Sequence, residues 1–99
     1  MIIGLVIDGA LKSMSFYITR HAEEELERRG IPREFLDSVL QNPQQIVEDR
    51  DGKKAYQSQF KFENGKTYLV RAIVADNTQP AIVLTVYRTS QIARYWRQA

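Results

Sequence analysis

At Asn42-Pro43 the hydrophobic period of this chain changes from that of a helix to that of a strand, and no other feature constrains the fold so much. Upstream of that break, Thr19 is a helix N-cap and Ala22 and Leu26 share one face, four residues apart. Glu23, Glu24 and Glu25 crowd the first turns and Arg28 and Arg29 the last, as the helix dipole favours. Gly30 ends this helix, because a chain leaving a helix commonly passes through the left-handed region that glycine tolerates. Pro32 then opens a second helix at its first position, where a missing N–H costs nothing. Phe35, Leu36, Val39 and Leu40 are its apolar face, and Asn42-Pro43 stops it.

Downstream the alternation is that of a sheet. Ile46-Val47 begins a strand, and Asp51-Gly52 is a hairpin turn. The run from Lys54 to Phe62 sets Tyr56, Phe60 and Phe62 on one side and Ala55, Gln57, Gln59 and Lys61 on the other. After a second turn at Asn64-Gly65 come "KTYLVRAIVA" and "AIVLTVYRT", joined by the polar loop Asp76 to Pro80. Their near-continuous apolar runs predict central strands covered on more than one face. A short amphipathic tail runs from Ser90, a cap, to Trp96. Two helices cannot bury their stripes on each other alone. The expectation is therefore an α+β domain: two N-terminal helices packed on a curved antiparallel sheet of about four strands, with a short C-terminal helix. Residues 1–15, with apolar Ile2, Ile3, Leu5, Val6 and Ile7, read as an N-terminal extension that forms an extra strand ahead of a domain at 16–99. An edge of its own sheet or of a neighbouring chain would host such a strand, and the second case would make a homodimer through it.

Composition narrows the function classes. The 99 residues make one small domain, and its size suffices for a core without staples. There is no cysteine, hence no disulfide framework, thiolate zinc site or thiol nucleophile, and the expected compartment is the cytoplasm. No run approaches the roughly 20 apolar residues of a membrane helix, so no membrane association is expected. Fourteen basic against twelve acidic residues give +2, a weak pull toward a polyanionic partner. One histidine and scattered acids offer no ligand cluster, and no glycine-rich phosphate loop is present. No metal or cofactor is expected.

The single histidine, His21, falls in the first turn of the first helix. Unpaired N–H groups there disfavour its charged form, while Glu24 and Glu25, three and four residues on, favour it. That balance suits a proton-transfer group, and the same place equally suits an ordinary surface histidine. Arg71 interrupts the apolar strand "YLVRAIVA", so it meets a carboxylate or faces a cleft. Arg88 ends the last strand beside Tyr87, in the sequence "YRTS". Lys53 and Lys54 follow a turn; Arg94 and Arg97 flank Tyr95 and Trp96. Guanidinium forks bind phosphate and aromatic faces stack on unpaired bases, although Tyr95 and Trp96 serve as well to cover the open side of the sheet.

Taken together, "ITRHAEEELERRGIPREFLDSVLQNPQQIVED", "GKKAYQSQF", "YLVRAIVA" and "VLTVYRTSQIARYW" resemble domain-of-unknown-function family 4258, which looks like a branch of the RelE/ParE-like toxin fold. The likeness covers about Phe16 to Trp96, with the Thr-x-His opening, the Arg-Gly-Ile turn, the Asn-Pro stop and the Tyr-Arg-Thr-Ser end as its most specific parts. It implies a toxin-like domain of a toxin–antitoxin system, partnered by an antitoxin protein and acting on RNA or the ribosome. RelE-type cleavage needs no metal: a ribose 2′-hydroxyl attacks the adjacent phosphate, helped by basic side chains and a tyrosine. On that reading the chain is a metal-independent ribonuclease. His21, Arg71, Tyr87 and Arg88 would be its catalytic set, and Lys53, Lys54, Arg94 and Trp96 its nucleic-acid contacts. The alternatives are a non-catalytic protein-binding module on the same fold, or a gyrase-directed ParE-like toxin.

Overall fold

The computed structural model describes residues 4–8 and 13–98. It is an α+β fold in which a six-stranded sheet carries two helices on one face. The elements follow in the order β1 (Gly4–Asp8), β2 (Ser13–Ile18), α1 (Arg20–Arg28), α2 (Arg33–Gln41), β3 (Gln45–Glu48), β4 (Lys54–Lys61), β5 (Thr67–Ala75), β6 (Ala81–Thr89) and α3 (Ile92–Tyr95). The strands lie side by side as β1-β2-β6-β5-β4-β3. All neighbours are antiparallel except β2 and β6, which run parallel through the register Phe16 to Ala81 and Ile18 to Val83.

This sheet corrects the expectation of about four antiparallel strands. The segment Ser13–Ile18, which crosses the expected boundary between extension and domain, is itself a sheet strand, and it buries Phe16 and Ile18 completely or nearly so. Its parallel partner follows from connectivity: the chain leaves β2 through both helices and re-enters the sheet at the far edge, β3. β1 occupies the other edge, paired with β2 over its whole length. Ile2 and Ile3 of the N-terminal apolar run lie outside the described residues.

Local chemistry accounts for most boundaries. The Thr19 hydroxyl accepts the Ala22 N–H at 3.0 Å and donates to the Leu84 carbonyl at 3.2 Å, so one side chain both caps α1 and ties it to β6. Gly30 stands at φ +62° just past the end of α1, where a side chain would be strained. Pro32 is the N-cap of α2 rather than its first helical residue, with ψ 139°. The turn at Asp51-Gly52 has both residues at positive φ, 60° and 76°, the left-handed pair that a tight hairpin requires. At the second hairpin only Gly65 is left-handed, at φ 82°. Its N–H closes onto the Phe62 carbonyl and the Phe62 N–H onto the Lys66 carbonyl, the three-residue loop with a bulge. Ser90 does not cap α3; Gln91 does, without a side-chain bond.

The core fills the space between the helices and one sheet face. Ala22 and Leu26 of α1 and Leu36, Val39 and Leu40 of α2 meet Val70, Ala72 and Val74 of β5 and Val83 and Val86 of β6. β6 keeps both valines on that face because the register shifts at Ile73/Val74, leaving Leu84 unopposed. Among the described residues no helix is long and apolar enough to cross a membrane.

Candidate functional site

The face of the sheet away from the helices carries a polar cluster in its centre. Strand alternation puts Gln57, Arg71 and Tyr87 directly opposite one another on β4, β5 and β6. Gln57 is fully buried and Arg71 is 5% exposed. Arg71 Nε donates to Gln57 Oε1 at 2.9 Å, and Arg71 Nη1 donates to the Tyr87 hydroxyl. The Tyr95 ring lies 4.3 Å from the guanidinium carbon, and the rings of Tyr87 and Tyr95 meet edge to face. The guanidinium is thus fixed on three sides by neutral groups. Among the described residues no carboxylate oxygen lies within 4.0 Å of it.

Gln57 is the hub of the cluster. Its Nε2 donates to Gln45 Oε1 at 2.9 Å and to the Tyr95 carbonyl at 3.1 Å. Gln45 in turn exchanges two bonds with the backbone of Arg97, so the C-terminal segment is strapped across this face. An open cleft of about 650 Å³ lies over Arg71, lined also by Val47, Glu48, Asp49, Arg94, Tyr95 and Arg97. Three guanidinium groups and two carboxylates leave it with a small positive excess. Burial pushes the Tyr87 phenol above its ordinary pKa, with Arg71 opposing the rise and Asp49 adding to it. Tyr87 therefore stays a neutral phenol, accepting from Arg71 and keeping its own proton to donate.

The proposed set of His21, Arg71, Tyr87 and Arg88 does not come together. Arg71 and Tyr87 converge. Arg88, next along β6, points to the helix side and stacks on Phe62 and Tyr68, because adjacent strand residues face opposite ways. His21 is exposed on α1, also on the helix side. Glu25, expected to act on His21, is instead bonded to Arg28 and Arg29 at 2.7–3.0 Å. Of the expected nucleic-acid contacts, Arg94 lines the cleft, its guanidinium 5.4 Å from the Tyr95 ring. Lys54 is engaged elsewhere, its Nζ 3.0 Å from Asp76 Oδ1, while Tyr56 donates to Asp76 Oδ2 at 2.8 Å. Burial pulls the Asp76 pKa up, but the Lys54 and Tyr56 bonds, the Lys54 charge and a backbone N–H together hold it below its ordinary value. Lys53 sits half-buried at the turn before β4, and Trp96 half-buried after α3.

Gln45, Gln57 and Tyr95 were not singled out as site residues from the sequence. For Gln57 a signal existed: pairing Phe62 with Lys66 across the Asn64-Gly65 turn and counting outward sets Gln57 opposite Arg71. For Tyr95 the sequence suggested only that it covers the open side of the sheet, and the end of α3 sets it there, over Arg71.

Comparison with known proteins gives one finding for the arrangement as a whole. Residues 18–88 match the family described as "Domain of unknown function (DUF4258)". Neither the curated proteins nor the solved structures gave a match. The family match spans both main helices and the strands that bring Gln57, Arg71 and Tyr87 together, well over half of the 99 residues, and the chain belongs to the DUF4258 family.

Proposed function

We propose that the chain is a toxin-like domain of the RelE/ParE-like kind that takes single-stranded RNA on the sheet face opposite its helices. The observation that carries this reading is Arg71. A guanidinium taken out of water without a carboxylate is costly, and an anion delivered by a ligand relieves that cost. A phosphodiester fits: it is singly charged, its two free oxygens match the fork of a guanidinium, and Tyr87 offers a second donor beside it. Arg94 and Arg97 at the cleft wall suit neighbouring phosphates.

The same groups support cleavage without a metal. A 2′-hydroxyl attacks the phosphorus, a new P–O bond forms and the bond to the 5′ oxygen breaks. Arg71 neutralises the charge that grows on the non-bridging oxygens, and Tyr87 protonates the departing 5′ oxygen. Asp49, on the cleft wall, takes the proton of the attacking hydroxyl. His21 and Arg88 have no part in this scheme.

The test is RNA binding and cleavage in EDTA, on free RNA and on ribosomes. Arg71→Gln is expected to weaken binding at least about tenfold. Tyr87→Phe, which keeps Arg71 and loses one donor, should bind only a few-fold more weakly (about 1 kcal/mol) and cleave at least about a hundredfold more slowly, the usual weight of a proton-transfer group. His21→Ala and Arg88→Ala should match wild type. If the wild-type protein shows no salt-sensitive RNA binding in either setting, the reading is wrong. Binding without cleavage would leave a recognition module.

A further inference from the structure

A second cleft, of about 1060 Å³, lies on the other side of the sheet, between the α1–α2 turn and the β4–β5 hairpin. Its floor is apolar, made by Leu26, Ile31, Phe35 and Phe62. Into it projects Arg88, whose guanidinium carbon stands 4.5 Å from the Phe62 ring centroid and 4.7 Å from that of Tyr68. The two rings meet edge to face at 5.0 Å, and Phe62 is itself braced by Phe35 at 5.2 Å. The rings therefore hold this guanidinium by attraction to its charge and take none of its N–H groups in a conventional hydrogen bond. Among the described residues Arg88 has no carboxylate within 4.0 Å and its guanidinium makes no hydrogen bond. The rim of the cleft is acidic, with Glu27, Glu34 and Glu63 against Lys61.

We infer that this cleft binds a polypeptide carboxyl terminus whose last residue is apolar and whose preceding residues are basic. A pre-positioned guanidinium fork matches a carboxylate with two parallel bonds. The apolar floor beside it takes a side chain of leucine or phenylalanine size. A chain end carries both groups on one residue, whereas an internal aspartate or glutamate spends its side chain as the anion and leaves the floor unfilled. The three rim glutamates repel a ligand with several negative charges, RNA included, and reward positive charge one or two residues upstream. Nothing in this inference depends on the RNA reading, since the two clefts lie on opposite sides of the sheet.

The experiment is fluorescence anisotropy with a labelled hexapeptide that has two lysines and a free carboxyl-terminal phenylalanine. Controls are the same peptide amidated, a version with glutamates for the lysines, and N-acetylphenylalanine as competitor. The free acid is expected to bind at least about tenfold more tightly than the amide, because the amide cannot form the ion pair. Arg88→Gln, checked for folding by circular dichroism, should remove that preference, and Glu34→Gln, at an exposed rim position, should reduce the preference for lysines. Equal binding of acid and amide, or an acid preference that survives in Arg88→Gln, overturns the proposal. So does N-acetylphenylalanine binding as tightly as the peptide, which would make the site one for small carboxylates.

Discussion

Arg71 and Arg88 sit on neighbouring strands, and each lacks a carboxylate partner among the described residues, yet the two faces of the sheet hold them by different physics. Arg71 is held through its edges, by Gln57 and Tyr87, with Tyr95 on one face. Arg88 is held only by the attraction of two rings, Phe62 and Tyr68, for its charge. The first arrangement uses directional bonds and leaves little freedom in what can approach. The second uses nondirectional attraction and leaves the donors open. The contrast extends outward: the helix face is a continuous apolar core, while the opposite face is organised around one buried amide. Stability should reside mainly in the first face and geometry in the second.

Substitutions on the two faces test that division. Leu36→Ala empties a fully buried position between α2 and the sheet and is expected to cost about 2–5 kcal/mol, measured by urea unfolding. Gln57→Ala removes the hub of the other face and should cost less, about 1–3 kcal/mol, since what is lost is the satisfaction of Arg71 Nε and the Tyr95 carbonyl. Its larger consequence should be geometric. With the strap released, amide exchange across residues 92–97 should quicken, whereas Leu36→Ala should not quicken it beyond the general loss of stability. If both variants loosen the C-terminal segment alike, the two faces are not separable and the comparison fails.

How much of this was legible in the sequence differs in the same way. The helix face was readable because its signals are local: the Thr19 cap, the Gly30 stop and the i, i+4 spacing of Ala22 and Leu26 each act within one or two turns. The parallel placement of β2 was not, since nothing near Phe16 specifies a partner 65 residues away. On the opposite face, Arg71 was recognisable as a charge that had to face a cleft or an ion pair. Its convergence with Tyr87 depends on the register of β5 with β6, which the Asp76–Pro80 loop and a bulge obscure. Grouping Arg88 with Tyr87 ignored a rule that was available, that neighbours along a strand face opposite ways. His21 stands apart from Arg71 and Tyr87 for another reason: helix position alone cannot tell an exposed first-turn histidine from one that overhangs a cleft.

The smallest effect separates charge that is paired from charge that is not. On α1, Glu25 accepts from Arg28 at 2.7 and 3.0 Å and from Arg29 at 2.8 Å. Those hydrogen bonds lower its pKa from 4.5 to about 2 against a modest opposing effect of burial. A carboxylate whose pKa is depressed in the folded state stabilises that state above its unfolded pKa, and the contribution disappears as pH falls through the folded value. Glu25→Gln should therefore be less stable than wild type at neutral pH, with the gap closing as pH drops from about 4.5 toward about 2. The gap for Gln57→Ala should stay flat over the same range, because the amide and the guanidinium it holds exchange no proton there. Parallel urea titrations of the two variants between neutral pH and the acid limit of folding would show it. A Gln57→Ala gap that closes in acid along with the Glu25→Gln gap would mean that a carboxylate of the cleft, Glu48 or Asp49, does compensate Arg71 in solution. The anion site would then already be occupied from within the chain.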